Sequence, residues 1–210
     1  MNEEKVIESI KNGDTKQYEL IIRKYNQRLY RIARAIIKED SEVEDILQDT
    51  YLKAYQALSQ FQNKSQFSTW ITRILINNAN ARLKKKQRIE STDSLSWLED
   101  KMVEDELTTP ENRASNLELK KILEESIDNL PESLRTVYVM REIEGLNVTE
   151  TAQCLDLSEE NVKTRLHRAK AFLKEELYKR TKGDIELFRF GLERCDRVVI
   201  SVMIQIGNQN

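Results

Sequence analysis

The residues with the most chemistry to offer are cations, amides and one aromatic, not catalytic pairs. Lys163, Thr164, His167, Arg168 and Lys170 fall on one side of a run from Glu159 to about Tyr178, with Arg165 near its boundary. Long donors close to a helix N-terminus reach base edges and phosphates in a major groove. A second set, Trp70, Arg73, Asn77, Asn80 and Lys84, recurs at steps of three and four and runs into Arg82, Lys85, Lys86 and Arg88. An aromatic among amides and cations suits strand-separated DNA, where bases stack on the ring and cations hold phosphates. The polar loop ahead of it, Phe61-Gln62-Asn63-Lys64-Ser65-Gln66, has the make-up to pocket an unstacked base. A third set, Asp45, Gln48 and Asp49 around an outward Leu52, suits a patch for a basic partner helix. Each set also has a plainer account: a solvated basic face, a core Trp70 beside a lysine-rich helix end, and an acidic face with one stray leucine.

Covalent and metal chemistry find little support. Cys154 and Cys195 are the only cysteines and form no CxxC, and with one His they furnish no ordinary zinc site. Asp45 and Asp49 share a helix face, but no metal set joins them. The expectation is therefore no catalytic residue, no metal and no cofactor. A stand-alone helix-turn-helix regulator would account for Val148–Lys170 but leave the clusters around Trp70 and Leu52 without a task.

Helices must position these groups. Tyr18, Ile21, Tyr25, Leu29, Ile32 and Ile36 trace one helical face, and Val43, Ile46, Leu47, Thr50, Tyr51, Ala54 and Leu58 trace another. Ile71, Ile74, Leu75, Asn78 and Ala79 mark a third. With five Gly and two Pro in 210 residues, turn-rich β architecture is disfavoured. Between Glu90 and Glu111 eight acids face one base, Lys101, and the stretch reads as an acidic linker. Beyond it Leu119, Ile122, Leu123, Ser126 and Ile127 are again periodic, Pro131 suits the first turn of a helix and Gly145 its end. Val148–Leu155, a turn at Asp156-Leu157-Ser158 and the helix from Glu159 have helix-turn-helix spacing, with Ala152 small at the crossing and Leu157 and Val162 plugging the core.

The expected organisation is all-α: a helical domain over 1–89, an acidic flexible linker over 90–116, a helix-turn-helix domain over 117–182 and a C-terminal extension over 183–210. In that extension Cys195, Val198, Val199, Val202, Met203 and Ile206 fit one stripe whose role is unassigned. The acidic N-terminus is neither signal nor transit peptide, and the longest apolar stretch is too short for a bilayer, so a soluble cytoplasmic chain without membrane insertion is expected. The formal net charge of −2 says nothing about nucleic acid; the distribution of charge does.

Taken in this order, the clusters resemble the extracytoplasmic-function (ECF) group of the sigma-70 family. The residues that carry the resemblance are Asp45-Ile46-Leu47-Gln48-Asp49-Thr50-Tyr51-Leu52-Lys53-Ala54-Tyr55 and Phe67-Ser68-Thr69-Trp70-Ile71-Thr72-Arg73-Ile74 in the first domain. In the second they are Leu130-Pro131-Glu132, Arg135, Gly145 and Val162–Lys170. The resemblance implies a region 2-like bundle and a region 4-like helix-turn-helix domain serving core RNA polymerase. It implies that Asp45, Gln48, Asp49 and Leu52 meet the clamp helices of the largest polymerase subunit. Phe61, Asn63, Lys64, Ser65, Trp70, Arg73, Asn77, Asn80 and Lys84 would read the minus-10 element, where the duplex opens. Ser158, Glu160, Asn161, Lys163, Thr164, Arg165, His167, Arg168 and Lys170 would read the minus-35 duplex. The flap of the second-largest subunit is a further implied partner, as is an anti-sigma factor, since group members are often held by one. The acidic linker would thread the channel later used by RNA. Asp156 stands where the group usually has Gly, and Asp tolerates the left-handed conformation that this turn needs.

Overall fold

Among the described residues, apolar positions at steps of three and four become eight α-helices, and no strand occurs. The structure, a computed structural model, describes residues 3–63, 65–90, 110–180 and Arg197, and of 87–90 and 110–118 only the backbone. Helices α1 (Glu3–Lys11), α2 (Tyr18–Ile36), α3 (Asp40–Gln56) and α4 (Phe67–Glu90) form a first unit. Helices α5 (Pro110–Asp128), α6 (Glu132–Tyr138), α7 (Val148–Leu155) and α8 (Glu159–Arg180) form a second.

The periodic residues of α2 are the ones it buries: Tyr18, Ile21, Tyr25, Leu29, Ile32 and Ile36. They meet Val43, Ile46 and Ala54 of α3 and Phe67, Ile71, Leu75 and Ala79 of α4. Removing one such Ile or Leu side chain from water contributes about 1.5–3 kcal/mol, and this is the main term holding α4 in place. Two of the polar side chains inside this unit are partnered as donors: Tyr18 Oη donates to Tyr51 O at 2.7 Å, and Asn78 Nδ2 donates to Thr50 Oγ1 at 3.0 Å. Gly13, at φ +103°, turns the chain between α1 and α2.

The second unit has two small apolar clusters. Leu130, Ala169 and Leu173 form one; Val137, Ala152 and Val162, with Leu157 against them, form the other. As the spacing predicts, Leu157 and Val162 fill the crossing of α7 and α8. After α6 a single π-type turn, Val139–Ile143, leads to Gly145 at φ +67°. Two boundaries differ from the sequence reading. Helix α5 begins at Pro110, seven residues before position 117. Proline suits a first helical position because its missing N–H has no helical partner there. Pro131 is the cap of α6 instead of lying in its first turn. Most of the acidic stretch, 91–109, and Cys195 with the rest of the C-terminal stripe lie outside the described residues.

The units pack on one another. Met140, Leu146 and Cys154 of the second unit belong to the core of the first. Helix α6 and the π-type turn lie on α2, and α7 lies on α4. Arg135, 4 % exposed, pins the junction: its Nε donates to Ala35 O at 2.7 Å, and its Nη1 donates to Asp128 O at 2.9 Å and Leu130 O at 3.1 Å. One guanidinium thus satisfies carbonyls near the ends of α2 and α5, groups that helices leave unpaired.

Candidate nucleic-acid interface

Helix α8 is set by its turn. Asn147 caps α7 through a reciprocal box: Glu150 N donates to Asn147 Oδ1 and Asn147 N to Glu150 Oε2, both at 2.8 Å. Asp156 ends α7 at φ +54°, ψ +49°, the left-handed conformation its type tolerates. Ser158 Oγ accepts from Asn161 N at 3.2 Å and so starts α8. With Val162 and Ala169 inward, Lys163, Thr164, His167, Arg168 and Lys170 are all exposed, as are Ser158, Glu160 and Asn161. Arg165 is half-buried, its Nε on Asn161 Oδ1 at 3.1 Å. Lys170 pairs with Glu142 at 3.0 Å, which steadies the C-terminal end of this basic face.

On α4, Arg73, Asn77 and Lys84 are exposed, and Trp70 and Asn80 are half-buried. Trp70 lies on the margin of the core, its ring 5.1 Å from Phe61 and 5.4 Å from Phe67. One part of it is packed and the rest is available for stacking. Phe61, expected among the base-reading residues, is instead 6 % exposed and sits in the core. Its ring wedges Phe67 edge-on and buttresses Trp70, so it supports the reading face without presenting itself. The apolar run of a helical pattern ends before residue 61, so periodicity could not show that Phe61 folds back. Lys64 lies outside the described residues. Asn63 is exposed at φ +55° and Ser65 half-buried. Together with Tyr25, Arg28, Gln66 and Glu3 of α1, they line a hollow of about 610 Å³. Helix α1 secures this loop: Lys11 Nζ donates to Phe61 O at 2.8 Å, and Glu3 accepts from Tyr25 Oη at 2.7 Å and pairs with Lys24.

Asp45, Gln48, Asp49 and Leu52 are all exposed on one side of α3, Leu52 at 60 %. Asp45 accepts from Arg82 Nη2 of α4 at 3.0 Å. Beside this face a groove of about 1010 Å³ runs between α2 and α3, with Tyr18, Tyr30, Leu47, Gln48, Leu52 and Tyr55 in its walls. Burial raises the phenol pKa of Tyr18 and Tyr51 well above the usual range, so the hydroxyls near this groove stay neutral donors.

Sequence reasoning missed what joins the two units. Cys154 Sγ lies 3.7 Å from Thr69 O of α4, and burial pushes its thiol pKa up to about 12. Buried Thr69, Thr72 and Ile76 form a second covered face of α4, next to Arg73 and Asn77. Arg28, Arg31 and Arg34 of α2 are met by carboxylates of the second unit. Their spacing of three was a visible signal, but nothing in a linear pattern says that a distant domain covers it. Among the described residues no group of three or more His, Cys, Asp or Glu could hold a metal ion, and no helix is long and apolar enough to cross a membrane.

Comparison with known proteins places both units in one family. The sigma-70 region 2 family model matches residues 21–89, and the sigma-70 region 4 model matches 120–173. The matches therefore fall on the two units, with the acidic stretch between them. The chain belongs to the ECF group of the sigma-70 family. Among its relatives, the ECF RNA polymerase sigma-E factor of Haemophilus influenzae is 27 % identical over 183 residues, 84 % of this chain and 96 % of that one. That of Escherichia coli K12 is 29 % identical over 175 residues, 81 % and 91 % of the two chains. The fold is also that of the sigma factor RpoE solved with the anti-sigma factor NepR from Bartonella quintana, at TM-score 0.65 and 18 % identity over 77 % of this chain and 97 % of that one. CnrH solved with the cytosolic domain of CnrY gives 0.58 and 24 % over 82 % and 94 %. As an ECF sigma factor the chain recognises promoters and initiates transcription with RNA polymerase. Its first unit is the region 2 unit and its second the region 4 unit.

Proposed function

We propose that the two units divide the promoter between them. The region 4 unit places α8 in the major groove of the minus-35 duplex through Lys163, Thr164, Arg165, His167, Arg168 and Lys170, with Ser158, Glu160 and Asn161 at the helix start. The region 2 unit reads the opened minus-10 strand: bases stack on Trp70, contact Arg73, Asn77, Asn80 and Lys84, and one enters the hollow beside Asn63 and Ser65, with Lys64 as a further contact. Stacking contributes about 1–3 kcal/mol per base, so capture of unstacked bases favours melting. The observation that carries this reading is chemical asymmetry between two exposed faces. Helix α8 offers long donors suited to paired DNA, whereas α4 offers a half-open indole among amides suited to separated DNA.

Asp45, Gln48, Asp49 and Leu52 form the contact for the polymerase clamp helices, where an apolar residue ringed by acids complements a basic helix. The flap of the second-largest subunit receives the region 4 unit. The acidic stretch between α4 and α5 occupies the RNA path, its charge imitating that of the transcript. The solved relatives with bound anti-sigma factors support an anti-sigma partner here too. The chain does no covalent chemistry; catalysis belongs to polymerase, and the site of action is the cytoplasm. Weak modules become selective because tethering to polymerase raises their local concentration. Transcription in vitro with sigma-free core polymerase on genomic fragments tests this. Defined start sites preceded by two elements are expected, and an absence of both transcripts and polymerase binding refutes the reading.

A further inference from the structure

Three arginines of α2 lie where the region 4 unit covers the region 2 unit, and every one is matched to an acid across the junction. Arg28 Nη2 donates to Glu144 O at 3.2 Å, with its Nε 3.8 Å from Glu144 Oε2. Arg31 Nη1 donates to Glu144 Oε1 at 3.1 Å. Arg34 grips Asp128 with both prongs, at 3.2 and 2.9 Å, and also reaches Asp40 at 3.2 Å. The Glu144 side chain is only 8 % exposed, held between the first two. A two-pronged guanidinium–carboxylate pair has the same geometry as guanidinium on phosphate.

The stripe also has a direction. Arg28 is in the wall of the hollow beside Asn63, Ser65 and Phe67, and Arg31 and Arg34 lead away from it along α2. The covered face of α4 lies alongside under α7, and there Thr72 Oγ1 is buried with no hydrogen-bond partner among the described residues. The closed arrangement cannot serve a promoter as it stands. Roughly twenty-five base pairs between the centres of the two elements extend about 85 Å at 3.4 Å each, whereas α7, the helix on which α8 rests, is packed against α4. The units must part, and parting strips Arg28, Arg31 and Arg34 of Glu144 and Asp128.

We propose that Arg28, Arg31 and Arg34 form a phosphate-binding track that continues the minus-10 reader along the backbone of the separated strand, masked in the closed chain by Asp128 and Glu144 standing in for phosphates. This rests on the minus-10 reading of the hollow. The mask keeps the free chain off bulk nucleic acid, and opening delivers the cations together with the reading face. A backbone track of cations beside stacking residues is the usual design for single strands.

The test uses the full chain and a fluorescein-labelled, mixed-sequence 20-nucleotide single-stranded DNA, followed by anisotropy from 50 to 200 mM salt. Asp128→Asn with Glu144→Gln binds roughly tenfold tighter than the parent or better, with a salt slope steeper by about 2, from 0.7 per phosphate contact. Adding Arg28→Gln, Arg31→Gln and Arg34→Gln abolishes the gain, whereas the three Arg→Lys changes retain most of it, which separates lost charge from lost folding. An unmasked chain that binds no tighter, or a gain that survives the Gln changes, overturns the proposal. Trp70→Ala in the unmasked chain addresses the underlying reading. Loss with Trp70→Ala but not with the arginine changes keeps the reader and removes the track; the converse keeps the track and removes the reader.

Discussion

Helices α4 and α8 both carry an exposed polar face, but in opposite circumstances. Helix α8 buries one narrow side, Val162, Ala169 and Leu173, and leaves its whole basic face open. Helix α4 is buried on two sides, one against α2 and α3 and the other against α7, and only the strip between them is free. A helix that meets an intact duplex needs to protrude. A helix that stabilises an opened strand is better anchored, because bases that leave the stack need a surface that does not give way. The comparison also shows that the second unit covers the first on the α4 side, where α7 packs against it.

The comparison can be broken most directly at its anchor. Ile71→Ala empties a site of zero exposure beneath α4 and is expected to cost about 2–5 kcal/mol in a urea or thermal melt; a loss below 1 kcal/mol would mean that α4 is not held as described. Gln48→Ala with Leu52→Asp removes the exposed α3 patch and is expected to weaken core-polymerase association by more than tenfold, about 2 kcal/mol for an interface centre. Binding of isolated minus-35 duplex by α8 should not change, and unaltered polymerase association would dismiss the clamp contact. Arg168→Ala does the reverse, reducing promoter use by about 1–3 kcal/mol while polymerase association persists. Loss of association instead would show that α8 is not the free helix of the pair.

Two smaller effects sharpen the contrast. Asn147→Ala breaks the capping box of α7, the helix that both props α8 and covers α4, and should lower stability by about 1 kcal/mol in calorimetry. The last concerns pH. Burial holds the Cys154 thiol pKa at about 12, so the folded chain keeps that proton more tightly than the unfolded one. The resulting stability is complete below the ordinary thiol value of about 8.5 and declines as pH rises from there towards the folded value. Urea melts between about pH 9 and 11 should therefore slope less in Cys154→Ser than in the parent. The buried tyrosines Tyr18, Tyr25 and Tyr51, whose pKa values are also raised, leave a residual slope of the same sign. Equal slopes would mean that water already reaches the thiol between α7 and α4.

Much of this was legible in the chain itself. Periodicity located α2, α3, α4 and α8, because a helix buries every third or fourth residue whatever lies opposite. Local chemistry was legible as well: Asp156 in the left-handed turn and Ser158 at the start of α8 are decided within a few residues of backbone. The three surface clusters could be read as outward-facing for the same reason, since what is left over from an apolar stripe is exposed. Phe61 was not legible, because a loop residue has no period and its burial depends on where Phe67 and Trp70 arrive. The start of α5 was obscured by acids that suit a linker and a helix N-terminus alike.

By itself the sequence determined which segments are helical, which faces are polar and that two units exist. Only the tertiary structure decided that these units close on each other, that Cys154 and Met140 complete a core begun by α2, and that Arg28, Arg31 and Arg34 face Glu144 and Asp128. The reason is range. Helical order comes from hydrogen bonds four residues apart, whereas the pairing of Arg28 with Glu144 joins residues more than a hundred positions apart and depends on how two finished surfaces fit.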